Sequence, residues 1–445
     1  MRTSRLPAAN LLGAAMLEEY LGDPEVQTER TVLAATVDPR PFEHLAASGA
    51  GGRPGWPAEV LLRALLLQHR HGWHDRTLAS QLRDNNRVRV LVGLPLGERS
   101  APSRASLQGF RRRIVEAGLE CELFGQQARV IHPLMEQVPA PAVVDCTPYV
   151  AAAGQRTIIG LLEDGMRQVY LAVRRVDAAR AEELARRWPR EGWHRRRFTP
   201  CSHGLERRRG RRRWQRCYRL AAKVLEAVAD LEGCPGVASS AGILRRVMTE
   251  RGPAGTGKPK DRLPNVREVE ARLGRKGHGA HRRTWHGYKA TVAIHQGLDL
   301  VTAVHVHPAN RGDDEALVPV LDMATAFAGD QAQAETHVDT AYTSKRCRRE
   351  ASARHTVLVG PRRGARRRGR VPGGGRVARQ RDRGLRCAVE RVQANIVRHR
   401  GARRSWYLGR VKATYQLAMS AAAHNLVRLC KLLRAGIWKP APATA

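Results

Sequence analysis

The sequence predicts an α/β protein, because helix-forming segments fill its first 140 residues and short β-branched strands alternating with helices follow. Its 445 residues are enough for two or three domains with a sizeable core. We predict an N-terminal helical domain over residues 1–140 and a second domain over residues 141–435, in which helices flank a mixed sheet. A basic insertion at about residues 162–280 follows the first strand, and residues 436–445 form a flexible tail.

The helical region has clear start and stop signals. One helix is expected to begin at Pro57 and to end at Gly72, because proline is favoured at the first helical position and glycine just past the last. Asp75 is expected to cap a second helix that runs to about Asn85. Pro133 is expected to kink or break a later helix.

A third helix in this region, capped by Ser103 or Ser106, carries consecutive basic residues. We expect three of them on an exposed face: Arg111, Arg112 and Arg113. Short helices with tight turns and a basic last helix are typical of a small DNA-binding bundle. The alternative is a helical bundle whose basic face is only solvated.

The net charge is strongly positive. The 78 Lys and Arg residues outnumber the 41 Asp and Glu residues, which gives +37 and makes nucleic acid the expected partner. A genome that favours arginine codons is an alternative source of part of this excess, but it does not explain why the basic residues are clustered. In the insertion they interleave with aromatic residues that can stack on bases. The candidate DNA contacts there are Arg207, Arg211 and Arg212.

Three acidic residues follow or interrupt apolar segments in the second domain. Val143 and Val144 indicate a buried strand that ends at Asp145, and residues 335–338 indicate a second strand that ends at Asp339. Glu390 lies on a predicted helix. Each acid alone has an ordinary explanation as a turn or surface residue.

A β-hairpin is predicted between the insertion and the second acid. Its strands are residues 288–295 and 300–306, with a turn at Gln296 and Gly297. Three histidines alternate along it and are expected to be polar strand residues rather than metal ligands: His295, His305 and His307.

The remaining elements of this domain complete an alternating pattern. Helices are predicted over residues 315–327 and 344–353, and a strand over 356–359. A Gly- and Arg-rich loop is predicted over 362–383. Two further helices are expected, one from Leu385 through Val397 and one from about Lys412 to Gly436.

The chemistry of phosphodiester cleavage explains why three such acids matter. Two Mg²⁺ ions about 4 Å apart activate a nucleophile and hold the leaving oxygen. Mg²⁺ prefers carboxylate oxygens, with water and phosphate completing its shell. Acids that are distant in sequence can converge because neighbouring strands lie about 5 Å apart.

With this order of elements, the chain resembles bacterial insertion-sequence transposases of the DDE type over roughly residues 40–435. Residues 76–82 and 106–112 resemble the N-terminal helical domain of these enzymes. The acid motifs that carry the resemblance are Asp145-Cys-Thr, where Asp-Ser-Thr is more usual, Val338-Asp-Thr-Ala-Tyr342 and Arg386-x-x-x-Glu390.

The resemblance implies a ribonuclease H-like catalytic domain in which Asp145, Asp339 and Glu390 are catalytic and bind two Mg²⁺ or Mn²⁺ ions. It implies double-stranded DNA, both inverted-repeat ends and target, as the substrate, and a homodimer as the active complex. It also implies that Arg386 contacts DNA.

The signature that surrounds the third acid departs from the family. Its tyrosine and lysine positions fall on Arg383 and Val397, and Arg398 is the expected substitute for the lysine. Two alternatives stay open beside a transposase. One is a catalytically inactive DNA-binding remnant, and the other is a ribonuclease H-like nuclease that does not join strands.

The cysteines bear on the compartment. Eight are scattered without any Cys-x-x-Cys pair, which argues against a disulfide scaffold and indicates a reduced, cytoplasmic protein. The resemblance to bacterial transposases implies that the protein associates with the nucleoid. Cys201, His203 and Cys217 have a spacing that fits no ordinary zinc module. No apolar run approaches the roughly 20 residues of a membrane span, so no membrane partner is expected.

Overall fold

A computed structural model describes residues 11–46, 55–188, 207–252, 260–277, 280, 282–328, 335–360 and 376–440. The mixed α/β fold and the helical N-terminal region that the sequence predicts are confirmed. Cys201 and His203, whose spacing was judged not to fit a zinc module, lie outside the described residues, as does most of the predicted basic loop.

The N-terminal region consists of packed helices. Its start and stop signals were read correctly for α4, which follows Pro57 and ends at Gly72 with a φ of +65°, and for α7, where the Ser103 hydroxyl accepts a bond from Ser106 N. The helices are α1 (Leu11–Gly22), α2 (Pro24–Thr36), α3 (Glu43–Ala46), α4 (Ala58–His71), α5 (Asp75–Asp84), α6 (Asn86–Val92), α7 (Arg104–Glu116) and α8 (Glu122–Gln137).

The predicted cap at Asp75 and the predicted break at Pro133 are wrong, and a kink at Pro133 stays a prediction. Asp75 does not cap α5 but is its first residue, and its carboxylate accepts a bond from Arg111 rather than from the helix backbone. Pro133 does not break α8, which continues to Gln137. A proline removes one backbone donor, and the packed face of α8 holds the helix together past that point.

A six-stranded mixed sheet forms the centre of the second region. The strand order is β2-β3-β1-β5-β6, and β4 also pairs with β3. The predicted hairpin is confirmed as the antiparallel pair of β3 and β4. The strands are β1 (Ala142–Val150), β2 (Arg272–Lys276), β3 (Arg283–His295), β4 (Leu300–Pro308), β5 (Glu335–Val338) and β6 (Val357–Val359).

The central strand β1 joins the two halves of the sheet. It pairs antiparallel with β3 along its whole length and parallel with β5 through Ala142–Val144. Gly287 lets β3 pass close to the end of β1, because a Cβ at that residue would lie 2.3 Å from the Tyr149 carbonyl oxygen. β1 is therefore held on both edges.

Different helices cover the two faces of the sheet. Val144 belongs to a hydrophobic cluster with residues of α13 (Leu317–Ala328) and α14 (Lys345–Ser352). Its neighbour Val143 belongs to the larger core, which also contains the N-terminal helices, α15 (Arg376–His399) and α16 (Arg410–Arg434). Because side chains alternate along a strand, Asp145 lies on the same face as Val143, and Cys146 lies on the same face as Val144.

The ends of the last two helices test further predictions. Helix α15 begins at Arg376, earlier than the predicted start at Leu385, so part of the predicted loop is helical. Helix α16 is followed by Gly436 with a φ of +70°, as predicted. Because α16 packs on β4 and on α2, α4 and α8, the N-terminal helices and the sheet share one core. The division at residue 140 stays a prediction.

The insertion after β1 is a helical bundle with a core of its own. Its buried apolar residues lie between Leu161 and Val266 and form a cluster separate from the larger core. Its helices are α9 (Ile158–Val176), α10 (Ala178–Arg187), α11 (Arg207–Glu226) and α12 (Pro235–Arg251).

The two ends of this bundle are joined to each other. Arg156 N donates to the Pro264 carbonyl oxygen at 3.0 Å, and Asn265 Nδ2 donates to the Gly154 carbonyl oxygen at 2.7 Å. The chain therefore leaves the sheet and returns to it at almost the same place.

Candidate active site

Asp145 and Asp339 occupy equivalent positions on two adjacent parallel strands. The register of β1 and β5 pairs Val143 with His337 and Val144 with Val338. The residue that follows each member of the last pair is an aspartate, Asp145 or Asp339. Adjacent strands lie about 4.8 Å apart, which places the two acids side by side. Both aspartates are half-buried.

The backbone around Asp339 fixes its position. Strand β5 ends at Val338, and Asp339 then caps a 3₁₀ turn over Thr340–Tyr342. Its Oδ1 accepts a hydrogen bond from Thr340 N at 2.7 Å. The acid is therefore held at the point where the chain leaves the sheet.

The expectation that Asp145 ends its strand is wrong. It is the fourth residue of the nine-residue β1, which continues to Val150 because β3 pairs with it along that length. The neighbouring strand β5 stops at this level instead. The ladder between β1 and β5 therefore ends one residue before Asp145.

Helix α15, which carries Glu390, packs on the sheet at β1 and β3. Its buried residues Val389, Val392 and Ile396 pack in the core that contains Val143, and the helix contacts β1 and β3. Glu390 is exposed, next to buried Val389. It therefore lies at the rim of the contact between helix and sheet.

Asp145, Asp339 and Glu390 are not one of the groups of described residues whose donor atoms all lie within 4.8 Å of one another. Among the described residues, the one group with three donor atoms all within 4.8 Å of one another is Cys146, His307 and Asp313, on the opposite face of β1. The acids nevertheless offer only carboxylate oxygens, a donor set that fits a hard cation such as Mg²⁺.

The predicted DNA-contacting arginines differ in their exposure. Arg113 is half-buried, and its Nε donates to the Leu45 carbonyl oxygen at 2.6 Å. The side chains of Arg207 and Arg386 lie outside the described residues. The exposed members of the set are Arg112, Arg211, Arg212 and Arg398.

Arg111 is not on an exposed face, so the prediction for this residue is wrong. Its side chain is buried, and Nη2 donates to Asp75 Oδ1 at 2.7 Å and to Gln68 Oε1 at 2.9 Å. It shares the buried stripe of α7 with Leu107, Phe110 and Ile114, residues spaced for one helical face. The guanidinium also lies 5.0 Å from the centre of the Tyr407 ring.

The charge of Asp75 compensates this buried cation. Burial alone would raise the pKa of the Asp75 carboxyl, but the hydrogen bond and charge of Arg111 outweigh it and lower that pKa below its ordinary value. Gln108 and Gln68 add hydrogen bonds in the same direction. Both charges are therefore kept inside the structure.

The loop between α15 and α16 was missed by sequence reasoning. Ser405 N donates to the Val150 carbonyl oxygen at 2.8 Å, which attaches this loop to the end of β1. Trp406 stacks on buried His69 with ring centres 5.0 Å apart. Adjacent aromatic residues in a non-helical segment, Trp406 and Tyr407, were the available signal for such an anchor.

Comparison with known families defines first the class of protein and then its type. A family described as "Transposase domain (DUF772)" matches residues 22–113, so the helical region is that of a transposase. A family described as "Transposase DDE domain" matches residues 256–426, which include Asp339 and Glu390 but not Asp145. The chain belongs to the insertion-sequence DDE transposases.

Two other comparisons were negative. No curated protein and no solved structure matches the chain. Among the described residues, every helix is too short or too polar to cross a membrane.

Proposed function

We propose that this transposase binds the ends of its insertion sequence and catalyses metal-dependent cleavage and strand transfer there. The catalytic residues would be Asp145, Asp339 and Glu390, in a sheet of the ribonuclease H-like type. The observation that supports this most is the register of β1 and β5, in which Asp145 and Asp339 each directly follow one of two paired valines, Val144 and Val338.

The three acids would hold Mg²⁺ or Mn²⁺ ions. When bound, these ions supply activation of the attacking water or 3′-hydroxyl and neutralise charge on the phosphate. Asp145 offers its carboxylate from a strand held on both edges, and Asp339 from a capped turn. Such rigid supports reduce the reorganisation that catalysis would otherwise require.

Glu390 would complete the site from the solvent side. Its exposed side chain would be accessible to a DNA phosphate. Arg398 lies eight residues further along α15, which corresponds to about 12 Å of helix. An exposed arginine at that distance would bind a flanking phosphate of the same strand.

The exposed arginines would carry the affinity for DNA. Three of them are exposed: Arg112 in the helical region, and Arg211 and Arg212 in the insertion. The net charge of +37 favours binding of a polyanion such as DNA. Because two ends must be joined, we place a homodimer in the active complex.

The test uses DNA that carries the ends of the element, taken from the sequence that flanks the gene. Asp339→Asn keeps the shape of the side chain and removes its charge, so cleavage should fall by orders of magnitude while DNA binding persists. Asp322→Asn is the matched control, because Asp322 is an exposed acid on α13 that pairs with Arg354.

Three outcomes would contradict the proposal in different ways. Wild-type protein that binds the ends without cutting them would be a DNA-binding remnant. Cleavage without joined products would indicate a nuclease. An Asp339→Asn protein that cuts and joins at the wild-type rate would remove this residue from the active site.

A further inference from the structure

A second group of metal-ligating side chains lies on the face of β1 opposite the three acids. Cys146 follows Asp145 and points to the other side of the sheet, as Val144 does. The donor atoms of Cys146, His307 and Asp313 all lie within 4.8 Å of one another. These residues come from β1, from β4 and from the turn that precedes α13.

The surroundings of His307 indicate that this group lacks a ligand. Its side chain is 5% exposed, yet the described residues provide no hydrogen-bond partner for either ring nitrogen. A buried imidazole without partners is costly, because its polar atoms have given up their bonds to water. A metal ion bonded to one nitrogen would remove part of this cost.

The donor set distinguishes the metal. One thiolate, one imidazole and one carboxylate suit Zn²⁺, whereas Mg²⁺ prefers oxygen donors alone. Zinc bonds of about 2.0–2.3 Å in a tetrahedron separate the ligand atoms by about 3.3–3.7 Å, so side-chain shifts of about 1 Å close the site. Three protein ligands leave the fourth position to a water molecule.

The bond to sulfur forms by exchange of a proton for the metal. Zinc binding forms a bond from the ion to the Cys146 Sγ and releases the thiol proton to solvent.

Two charged groups set the electrostatic balance. Lys289 Nζ donates to Asp313 Oδ1 at 2.5 Å, which leaves the other carboxylate oxygen for a metal. The Asp313 side chain is 34% exposed, which gives an ion a path from solvent. One thiolate and one carboxylate balance the charge of Zn²⁺, and Lys289 adds one positive charge beside them.

We propose that Cys146, His307 and Asp313 bind one Zn²⁺ ion, which ties β1 to the start of α13 from behind the three acids. The ion lies on the side of the sheet away from Asp145, and its proposed role is to hold β1 and the start of α13 together rather than to take part in cleavage. It is independent of the function proposed above, because its ligands are not among the acids assigned to cleavage.

The test measures metal binding by the purified full-length chain rather than DNA cleavage. The protein is stripped with a chelator and titrated with Co²⁺ in excess Mg²⁺, and the near-ultraviolet absorption of a cobalt–thiolate bond is recorded. The bound zinc is measured separately by mass spectrometry. Excess Mg²⁺ occupies the carboxylate site, and only a sulfur ligand gives the thiolate absorption.

Matched variants separate this site from its surroundings. Cys146→Ala is compared with Cys430→Ala, another buried thiol, which lies on α16. His307→Phe is compared with His305→Phe, because these two rings stack on each other. Asp313→Asn alters a ligand that is partly exposed. It tests the site if Cys146→Ala or His307→Phe fails to fold.

The wild-type protein should bind about one equivalent of Co²⁺ or Zn²⁺ per chain, as should Cys430→Ala, His305→Phe and the active-site variant Asp339→Asn. The thiolate absorption should be absent from Cys146→Ala. The affinity of His307→Phe and Asp313→Asn should fall more than about 100-fold, because loss of a residue that only supports a ligand already costs 10–100-fold.

Either of two results would overturn the proposal. One is a wild-type protein that shows no thiolate absorption at saturating Co²⁺. The other is absorption that persists in Cys146→Ala, which would assign the sulfur ligand to a different cysteine.

Discussion

Replacing Arg111 with methionine separates a structural arginine from a DNA-binding one. Methionine keeps much of the length of the side chain but removes the guanidinium, which makes bonds of 2.7 and 3.3 Å to the Asp75 carboxylate and 2.9 Å to Gln68. The ion pair is buried, with 7% of the Arg111 side chain and 19% of the Asp75 side chain exposed. The variant leaves a carboxylate inside the structure without its cation.

The expected loss follows from these contacts. Removing one partner of a buried ion pair costs about 3–5 kcal/mol. The two amide groups of Gln68 and Gln108 still donate to Asp75 at 2.8 Å each, which favours the lower end of that range. The contact with Tyr407 adds about 0.5–1 kcal/mol. We expect the free energy of unfolding to fall by about 3–5 kcal/mol.

Urea unfolding followed by circular dichroism measures this loss as a lower midpoint. Arg112→Met is the matched control, because that side chain is 67% exposed and pairs only with Glu116 at 3.6 Å. It should lose no more than about 0.5 kcal/mol. The double variant Arg111→Met with Asp75→Asn should be more stable than Arg111→Met alone, because no unpaired charge remains inside.

The binding of DNA completes the comparison. Arg112→Met should weaken binding, and Arg111→Met should leave the affinity of the folded protein unchanged. If Arg111→Met unfolds at the wild-type midpoint and binds DNA more weakly, the guanidinium contacts DNA, and the assignment of Arg111 to the core is wrong.

Three further outcomes are expected. Affinity for duplex DNA should fall by orders of magnitude between about 50 and 200 mM salt, because basic side chains release counterions; an affinity that stays constant would contradict the electrostatic interpretation. Mg²⁺ or Mn²⁺ should restore cleavage to chelator-treated protein, whereas Ca²⁺ should support binding with little turnover, because its looser coordination positions the phosphate poorly; full activity in Ca²⁺ would argue against the three-acid site. Burial lowers the pKa of His69 to about 3, whereas the unfolded chain has an ordinary value near 6.5. The unfolded state therefore binds the extra proton as pH falls below about 6.5, and this group should reduce stability by about 2 kcal/mol between pH 7 and pH 5. Urea midpoints at both pH values should show a smaller loss for His69→Gln than for wild type, and equal losses would refute the assignment.

The strands before Asp145 and Asp339 were predictable from the sequence. A β-branched run before Asp145 and another before Asp339 indicate strands, and the structure places these two residues at equivalent positions on neighbours. The length of β1 was not predictable. It depends on pairing with β3, whose residues 287–290 lie opposite residues 147–150.

The burial of Arg111 was predictable in part. Leu107, Phe110 and Ile114 mark the apolar face of α7, and a residue four positions after Leu107 falls on that same face. The run of three arginines suggested instead that the Arg111 side chain is exposed to solvent. The deciding partner, Asp75, is 36 residues away, and its approach is set by tertiary packing that no local pattern contains.

The group of Cys146, His307 and Asp313 shows a different limit. The alternation of histidines along the hairpin was visible, but which ring lies beside a thiol depends on strand order and on where the turn after β4 leads. Strand order is a property of the assembled sheet. Spacing along the chain alone therefore favoured an ordinary strand histidine.

The joined ends of the insertion bear on how the chain acquired it. The backbone of Arg156 is hydrogen-bonded to that of Pro264. If the residues between these two were deleted, a short turn could therefore join the remaining ends. A segment with its own core and adjoining ends can be gained, exchanged or lost in one genetic event without reordering the strands. For protein engineering, the same junction is a place to graft a foreign domain beside the acids.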